Sequence, residues 1–357
     1  MNAHASSAAA PSRSTLSTPV WRPGRASFIL QPRLIAITCL LLLLTLACAA
    51  FAISSGRISL SLGQVVNILL GHGDGGIGER IVLNIRLPRV LTAIFAGAAL
   101  GISGAVFQSV SRNALGSPDV IGFTTGAATG ALMQIIVFDQ GSLAVALSAV
   151  IGGMVTAVIV YLLSVRNGAV GGYRLVLVGI GVGAIFNALN GLMLVKGKLD
   201  NAIMANLWLA GSLDARTWQH VLPVMIGTLV LIPPILWSAR TLHMTEMGDD
   251  LACQLGIRVE RTRLFMIAYA VILAALATGA AGPIAFVALA APQLAQRLTR
   301  ARHLPVISAA AMGALLLVIA DLLIQHVPLA MTIPIGRMTG IVGGIYLLWL
   351  LTRSRQV

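Results

Sequence analysis

Acidic residues are scarce in this chain, with 11 Asp and Glu among 357 positions, and charged residues of either sign make up only 10%. A soluble globular domain carries about 25% charged and about 45–50% apolar residues. A water-facing surface of ordinary size is therefore excluded, since 57% of the residues are hydrophobic and the mean hydropathy is +0.92. Cysteine is sparser still. Cys39 and Cys48 lie in an apolar run and Cys253 in a charged loop, so they read as reduced packing residues and not as a disulfide frame. Catalytic constellations are missing too. No Gly-x-x-x-x-Gly-Lys-Ser/Thr phosphate loop occurs, which argues against ATP hydrolysis by this chain. The six histidines are scattered without metal-ligand spacing. Asp321 is the one acid inside an apolar run, and a secondary transporter would need a fuller intramembrane ion or proton site. The expectation is no catalytic residue, no metal and no cofactor, with energy supplied by another subunit.

What the chain has in abundance is apolar runs near the length of about 20 residues that spans hydrocarbon. Ten can be drawn: Leu34–Ile53, Val90–Val110, Val120–Phe138, Ala144–Val165, Leu175–Val195, Val221–Trp237, Leu264–Ala281, Ile284–Leu298, Val306–Ile324 and Met338–Leu351. The expected fold is an all-α polytopic membrane protein of about ten transmembrane helices. With both termini cytoplasmic, 16 of the 24 Lys and Arg fall inside, as the positive-inside bias requires. The net charge of +13 then reflects topology and contact with anionic membrane lipid, not nucleic acid. Residues 1–32, rich in Ala, Ser, Pro and Arg without periodicity, read as a disordered cytoplasmic tail, and residues 33–357 as the membrane domain.

Several points stand out from the apolar background. Arg86-Leu87-Pro88-Arg89 opens an apolar, glycine-spaced run, and Pro is at home in a helix's first turn, so two guanidinium groups are expected at the membrane surface, available to carboxylates outside. Gly97 with Gly101, Gly122 with Gly126 and Gly130, and Gly179 with Gly183 are four apart, a spacing for close helix packing, with flexible gating as the other reading. Gln108–Pro118 and Gly282–Phe286, the latter closely followed by Ala291-Pro292-Gln293, break the helical pattern. They are either pathway-lining irregularities or ordinary turns. Asp321 is either a helix-end group or part of a transport path. In the loop Glu246–Arg261, Asp249 or Asp250 suits an N-cap and Gly256 the C′ position of a short helix. Leu251, Ala252 and Leu255 fall on one face of it, which reads as a knob for a partner's groove or as a plain surface turn.

Taken together, these runs resemble the FecCD family of ABC-importer permeases. The resemblance spans about 34–353 and rests on Arg86–Arg89, Gly97–Gln108, Arg112–Asp119, Trp208–Leu213, Leu255–Ile257, Gly282–Val287 and Ile333–Gly336. Gly116–Phe123, Glu246–Asp250 and Gly343–Leu347 are most similar to the catecholate-siderophore (ferric-enterobactin) branch. The resemblance implies a type II importer fold, like that of vitamin B12 permeases, in the bacterial inner membrane. It implies an iron-siderophore cargo, with vitamin B12 or haem as the alternative. It also implies three protein partners: an ATP-binding ABC subunit, a periplasmic or lipoprotein siderophore-binding protein, and a second permease, either a sister subunit or a second copy. Arg86 and Arg89 match the arginines that dock the binding protein, Asn113 and Leu115 the cytoplasmic gate, and Asp249, Asp250, Leu251, Ala252, Leu255 and Gly256 the helix seated on the ATPase. The chain departs from the family pattern at Ala114, Gln293 and Thr332, and Arg337 has no family counterpart.

Overall fold

A backbone in lipid has to satisfy its own polar groups, and a helix does so within one segment; the apolar runs accordingly become helices. The structure, a computed structural model, describes residues 20–21, 28–29, 31–56, 58–73, 75–119, 122–139, 141–166, 169–170, 172–301, 304–326 and 333–353. In chain order the helices are α1 (Pro32–Ser54), α2 (Leu62–Leu69), α3 (Ile77–Ile81), α4 (Leu87–Ser111), α5 (Phe123–Leu132), α6 (Ser142–Ser164), α7 (Gly172–Lys196), α8 (Leu199–Leu209), α9 (Trp218–Glu246), α10 (Asp249–Gln254), α11 (Val259–Ala281), α12 (Val287–Thr299), α13 (Val306–His326) and α14 (Ile335–Arg353). Among the described residues, seven helices are long and apolar enough to cross a membrane. All ten apolar runs fall on helices, the remaining three on α5, α12 and α14. Most of the N-terminal tail lies outside the described residues, but Val20–Trp21 and Phe28–Ile29 pair as a short antiparallel ladder.

Pro88 is not at a helix start. Ile77–Ser111 is one continuous apolar helix of 35 residues, and a π turn over Val82–Arg86 precedes the proline. In that turn the Leu87 N–H reaches back to the Val82 carbonyl. A mid-helix proline removes an i→i−4 hydrogen bond and crowds the preceding turn, and a one-turn π bulge is a usual place to absorb such a defect. Arg86 and Arg89 therefore sit along a helix body, not at its free end.

α4 forms the centre of the molecule, packed by α13, α11, α12 and α9. Its small residues set the spacing. A Cβ built at Gly97 or Gly101 would collide with the backbone of Gly313 or Ala309 on α13, and one at Gly104 with the Ala288 carbonyl on α12. These glycines hold backbone against backbone, which resolves their reading in favour of packing. On the other side, Gly130 of α5 abuts Ser148 of α6. Gly122 does not share that helix face: it is the N-cap, at φ 74°, packed on Gly179 and Gly183 of α7. All three cysteines are free, but Cys39 and Cys253 are exposed rather than packed.

Overpacking a close-packed contact typically costs about 1–3 kcal/mol, and more where backbone, not side chain, must yield. Gly104→Val is expected to lower the unfolding temperature of the detergent-solubilised protein by several degrees and reduce its membrane level. Gly181→Ala, where nothing lies within 4 Å, should leave both unchanged in the same thermal scan.

Candidate functional site

The N-terminal end of α4 carries a charge network. The Arg89 guanidinium lies along the Asp321 carboxylate, with Nε donating to Oδ1 and Oδ2 at 3.1 and 3.0 Å and NH2 to Oδ1 at 2.8 Å. Gln325 Nε2 donates to the same carboxylate at 2.7 Å. Asp321 is thus a paired group on α13, its side chain only 3% exposed, and not the lone intramembrane acid that the sequence presents. The remaining NH1 of Arg89 meets Asp214 Oδ1 at 2.5 Å, and Asp214 is 61% exposed. Arg86 turns the other way, donating to the carbonyls of Ile53 at 2.7 Å and Ile58 at 2.6 Å. Both arginines therefore have partners inside the chain. Asp214 was missed from the sequence because nothing in its spacing links it to Arg89, 125 positions away.

At the opposite end of α4, Arg112 adopts φ 50° as the helix C-cap, a left-handed conformation uncommon for a side-chain-bearing residue. The turn that follows is built by Asn113, whose Oδ1 accepts from the Leu115 N–H at 2.9 Å, an Asx turn. Leu115 is left 51% exposed at its tip. Gln293 donates through Nε2 to the Ala114 carbonyl at 2.6 Å. Arg112 in turn bridges to α10, donating to the Thr245 carbonyl and pairing with Asp249. Arg263 of α11 donates to Asp249 Oδ1 and Oδ2 at 2.9 and 3.1 Å. Asp249 is thus the joint between the Asn113–Leu115 turn, the short helix α10 and the long helix α11.

α10 itself differs by one position from the sequence reading. Gly248 is the N-cap, at φ 123°, and Asp249 is the first helical residue, while Gly256 follows the helix at φ 79° as expected of C′. Asp249 gives up the capping role because its carboxylate is taken by the two arginines. Leu251 and Leu255 are 54% and 64% exposed, but Ala252 is fully buried; the exposed face is a leucine pair, with Ala252 seating the helix on the body. Partial burial would push the Asp249 carboxyl up, but Arg263 and Arg112 outweigh it and hold it below the usual carboxylate range. A depressed carboxylate pKa contributes stability that is full above the ordinary Asp range and is lost as pH falls through the depressed value. The joint is therefore intact at neutral pH.

Between these ends lies a cavity of about 510 Å³, within the range of small-molecule sites. Both irregular segments line it, Ser117 from one and Pro283 and Phe286 from the other, together with Asp119, Thr124 and Arg337. The pathway-lining reading of those segments is thus the one the geometry favours over ordinary turns. α5 with its π turn spans Phe123–Val137 and α12 only 13 residues, at most about 23 Å at 1.5 Å per residue. That is short of a hydrocarbon core of about 30 Å, so helices of this length can begin part-way through the bilayer. The loop backbone is pinned by small residues: a Cβ at Gly211 or Gly336 would strike the Pro283 carbonyl. Asp119 opens to the cavity and accepts a hydrogen bond from Thr124 Oγ1. Among the described residues there is no cluster of His, Cys, Asp and Glu that could hold a metal ion. Thr332 lies outside the described residues.

Comparison with known proteins places this architecture. The FecCD transport family matches residues 41–353, and the chain belongs to that family. It is 45% identical over 325 residues to the ferric enterobactin transport system permease protein FepG of Escherichia coli, covering 91% of this chain and 98% of that protein. It is 33% identical to the iron(III) dicitrate permease FecD of the same organism, over 88% and 99% of the two chains. Identity to the hemin permease HmuU of Yersinia pestis is 32%, over 91% and 97%. A solved metal-chelate type ABC transporter in an inward-facing conformation superposes with a TM-score of 0.80 at 26% identity, over 89% of this chain and 99% of that one.

Removing one member of a buried ion pair typically costs about 3–5 kcal/mol, because the other charge is left uncompensated. Asp321→Asn should destabilise the protein by about 3 kcal/mol in thermal or denaturant unfolding. Replacing Arg89 and Asp321 together by leucine should restore much of that loss, as a double-mutant cycle would register.

Proposed function

We propose that this chain is the transmembrane permease subunit of an ABC importer that carries a ferric siderophore of the catecholate type inward across the bacterial inner membrane, with both termini cytoplasmic. The observation that carries the reading is the 45% identity to FepG over 98% of that protein's length. It is supported by a cavity at which two interrupted stretches of membrane-embedded backbone meet. Energy comes from an ATP-binding ABC subunit, and cargo from a siderophore-binding protein outside. A second permease, sister or self, completes the conduit.

In this reading the outer face is the α4 end bearing Arg86 and Arg89. Arg–carboxylate pairing is bidentate and directional, and it gives docking its register. The Nε edge of Arg89 is committed to buried Asp321, but NH1 is held only by exposed Asp214, whose place an incoming carboxylate can take. At the inner face the exposed Leu251 and Leu255 of α10 enter a groove on the ATPase. Movement there passes through Asp249 and Arg112 into the Asn113–Leu115 turn, the cytoplasmic gate.

Radioiron uptake in a strain lacking this permease, complemented with the chain and supplied with one iron source at a time, tests the assignment. Uptake from a ferric catecholate is expected. Uptake from haem or vitamin B12 instead, or none from catecholates, would overturn the cargo assignment. Arg86→Glu should reduce uptake at least tenfold at unchanged membrane level, and uptake at the wild-type rate would remove Arg86 from the docking surface. Leu251→Asp combined with Leu255→Asp should abolish co-purification of the ATPase, and retained association would refute the coupling role.

A further inference from the structure

Arg337 is absorbed neither by the charge networks at the two ends of α4 nor by the docking and coupling roles. It lies in the first turn of α14 and is exposed to the cavity, and its guanidinium has no hydrogen-bond or ion-pair partner among the described residues. A guanidinium that opens on a cavity and is spent on no partner within the fold is available to a ligand there. Among the described residues, the only other charged group lining the cavity is Asp119, whose carboxylate is turned to Thr124 at the start of α5. The remaining polar lining is hydroxyl, amide and backbone, from residues such as Ser117, Thr125 and Asn206. The first turns of α5, α12 and α14 all reach the cavity, through Thr124, Leu289 and Arg337. Neither α5 nor α12 has a side-chain cap on its leading N–H groups. Helix N-termini favour negative charge, so their fields add to that of the guanidinium.

We infer that Arg337 is a cargo contact, a fixed cation that makes this cavity select iron chelates of net negative charge. The inference rests on the cargo assignment above and adds the property by which the permease itself discriminates. Three catecholates, each doubly deprotonated, outweigh the charge of one ferric ion and leave a net negative complex. Three hydroxamates, each singly deprotonated, balance the ion and leave a neutral one. The difference sits on the metal core, whatever scaffold carries the ligands. A guanidinium suits such a core because it is more weakly hydrated than an ammonium and presents several donors in a plane.

The test uses the intact permease–ATPase complex in lipid nanodiscs, without binding protein, so that selection upstream does not enter. The probes are the iron(III) complexes of a synthetic tripodal tris-catechol and of a tripodal trihydroxamate, titrated by quenching of tryptophan fluorescence. Wild type should bind the anionic complex about tenfold tighter than the neutral one, and raising the salt concentration should shrink that preference. Arg337→Gln should bind both equally, and Arg337→Lys should retain most of the preference. A residue that only supports the fold or pairs with the neighbouring permease would change binding of both probes alike. Equal binding of the two probes by wild type, or a preference unchanged in Arg337→Gln, overturns the inference. Either result leaves the cargo assignment to the uptake measurement, which decides it separately.

Discussion

Inside a bilayer a chain can cease to be helical only where protein or enclosed water receives its bare N–H and C=O groups. That constraint organises this molecule. The segments 112–119 and 282–286 both leave helical geometry after a long apolar helix, with Arg112 and Phe286 in left-handed conformation. Both line one cavity, and Pro283 of the second is wedged against Gly211 and Gly336. The short helices α5 and α12 follow from the same constraint, since each begins where an interruption ends. The cavity that both segments line is the place where such backbone can be tolerated.

Much of this was legible in the chain itself. The ten apolar runs fall on helices because burial in lipid leaves one dominant solution for a run of that length, and the glycine spacing on α4 identified its packing face. The path-forming segments were visible as breaks in the pattern. Partners in space were not. Arg89 and Asp321 are 232 positions apart, and no periodicity connects them, so Arg89 read as a free surface cation and Asp321 as a solitary acid. Pro88 misled for a local reason: a π turn lets a helix run through a proline that would otherwise begin or kink it. Asp249 misled because an aspartate before a short helix satisfies the capping rule equally well whether it caps the backbone or binds arginines.

Arg89 holds two tasks in one side chain. Its Nε edge fixes α4 to α13 through a buried carboxylate, and its other edge faces an exposed one. Asp249 is arranged the same way at the far end, held by Arg263 of the body and Arg112 of the turn. Each end of the central helix thus carries an ion pair with one side chain buried in the body and a second ion pair that is more exposed.

The glycine contacts of α4 also restrict how the chain can move. Gly97 and Gly101 press on Gly313 and Ala309 with no side chain between them. Shear motions slide packed helices past one another by small steps, and at these two points it is backbone, not a side chain, that would have to give way. Along this stretch α4 and α13 are locked at backbone distance, and sliding one past the other would have to drive main chain against main chain.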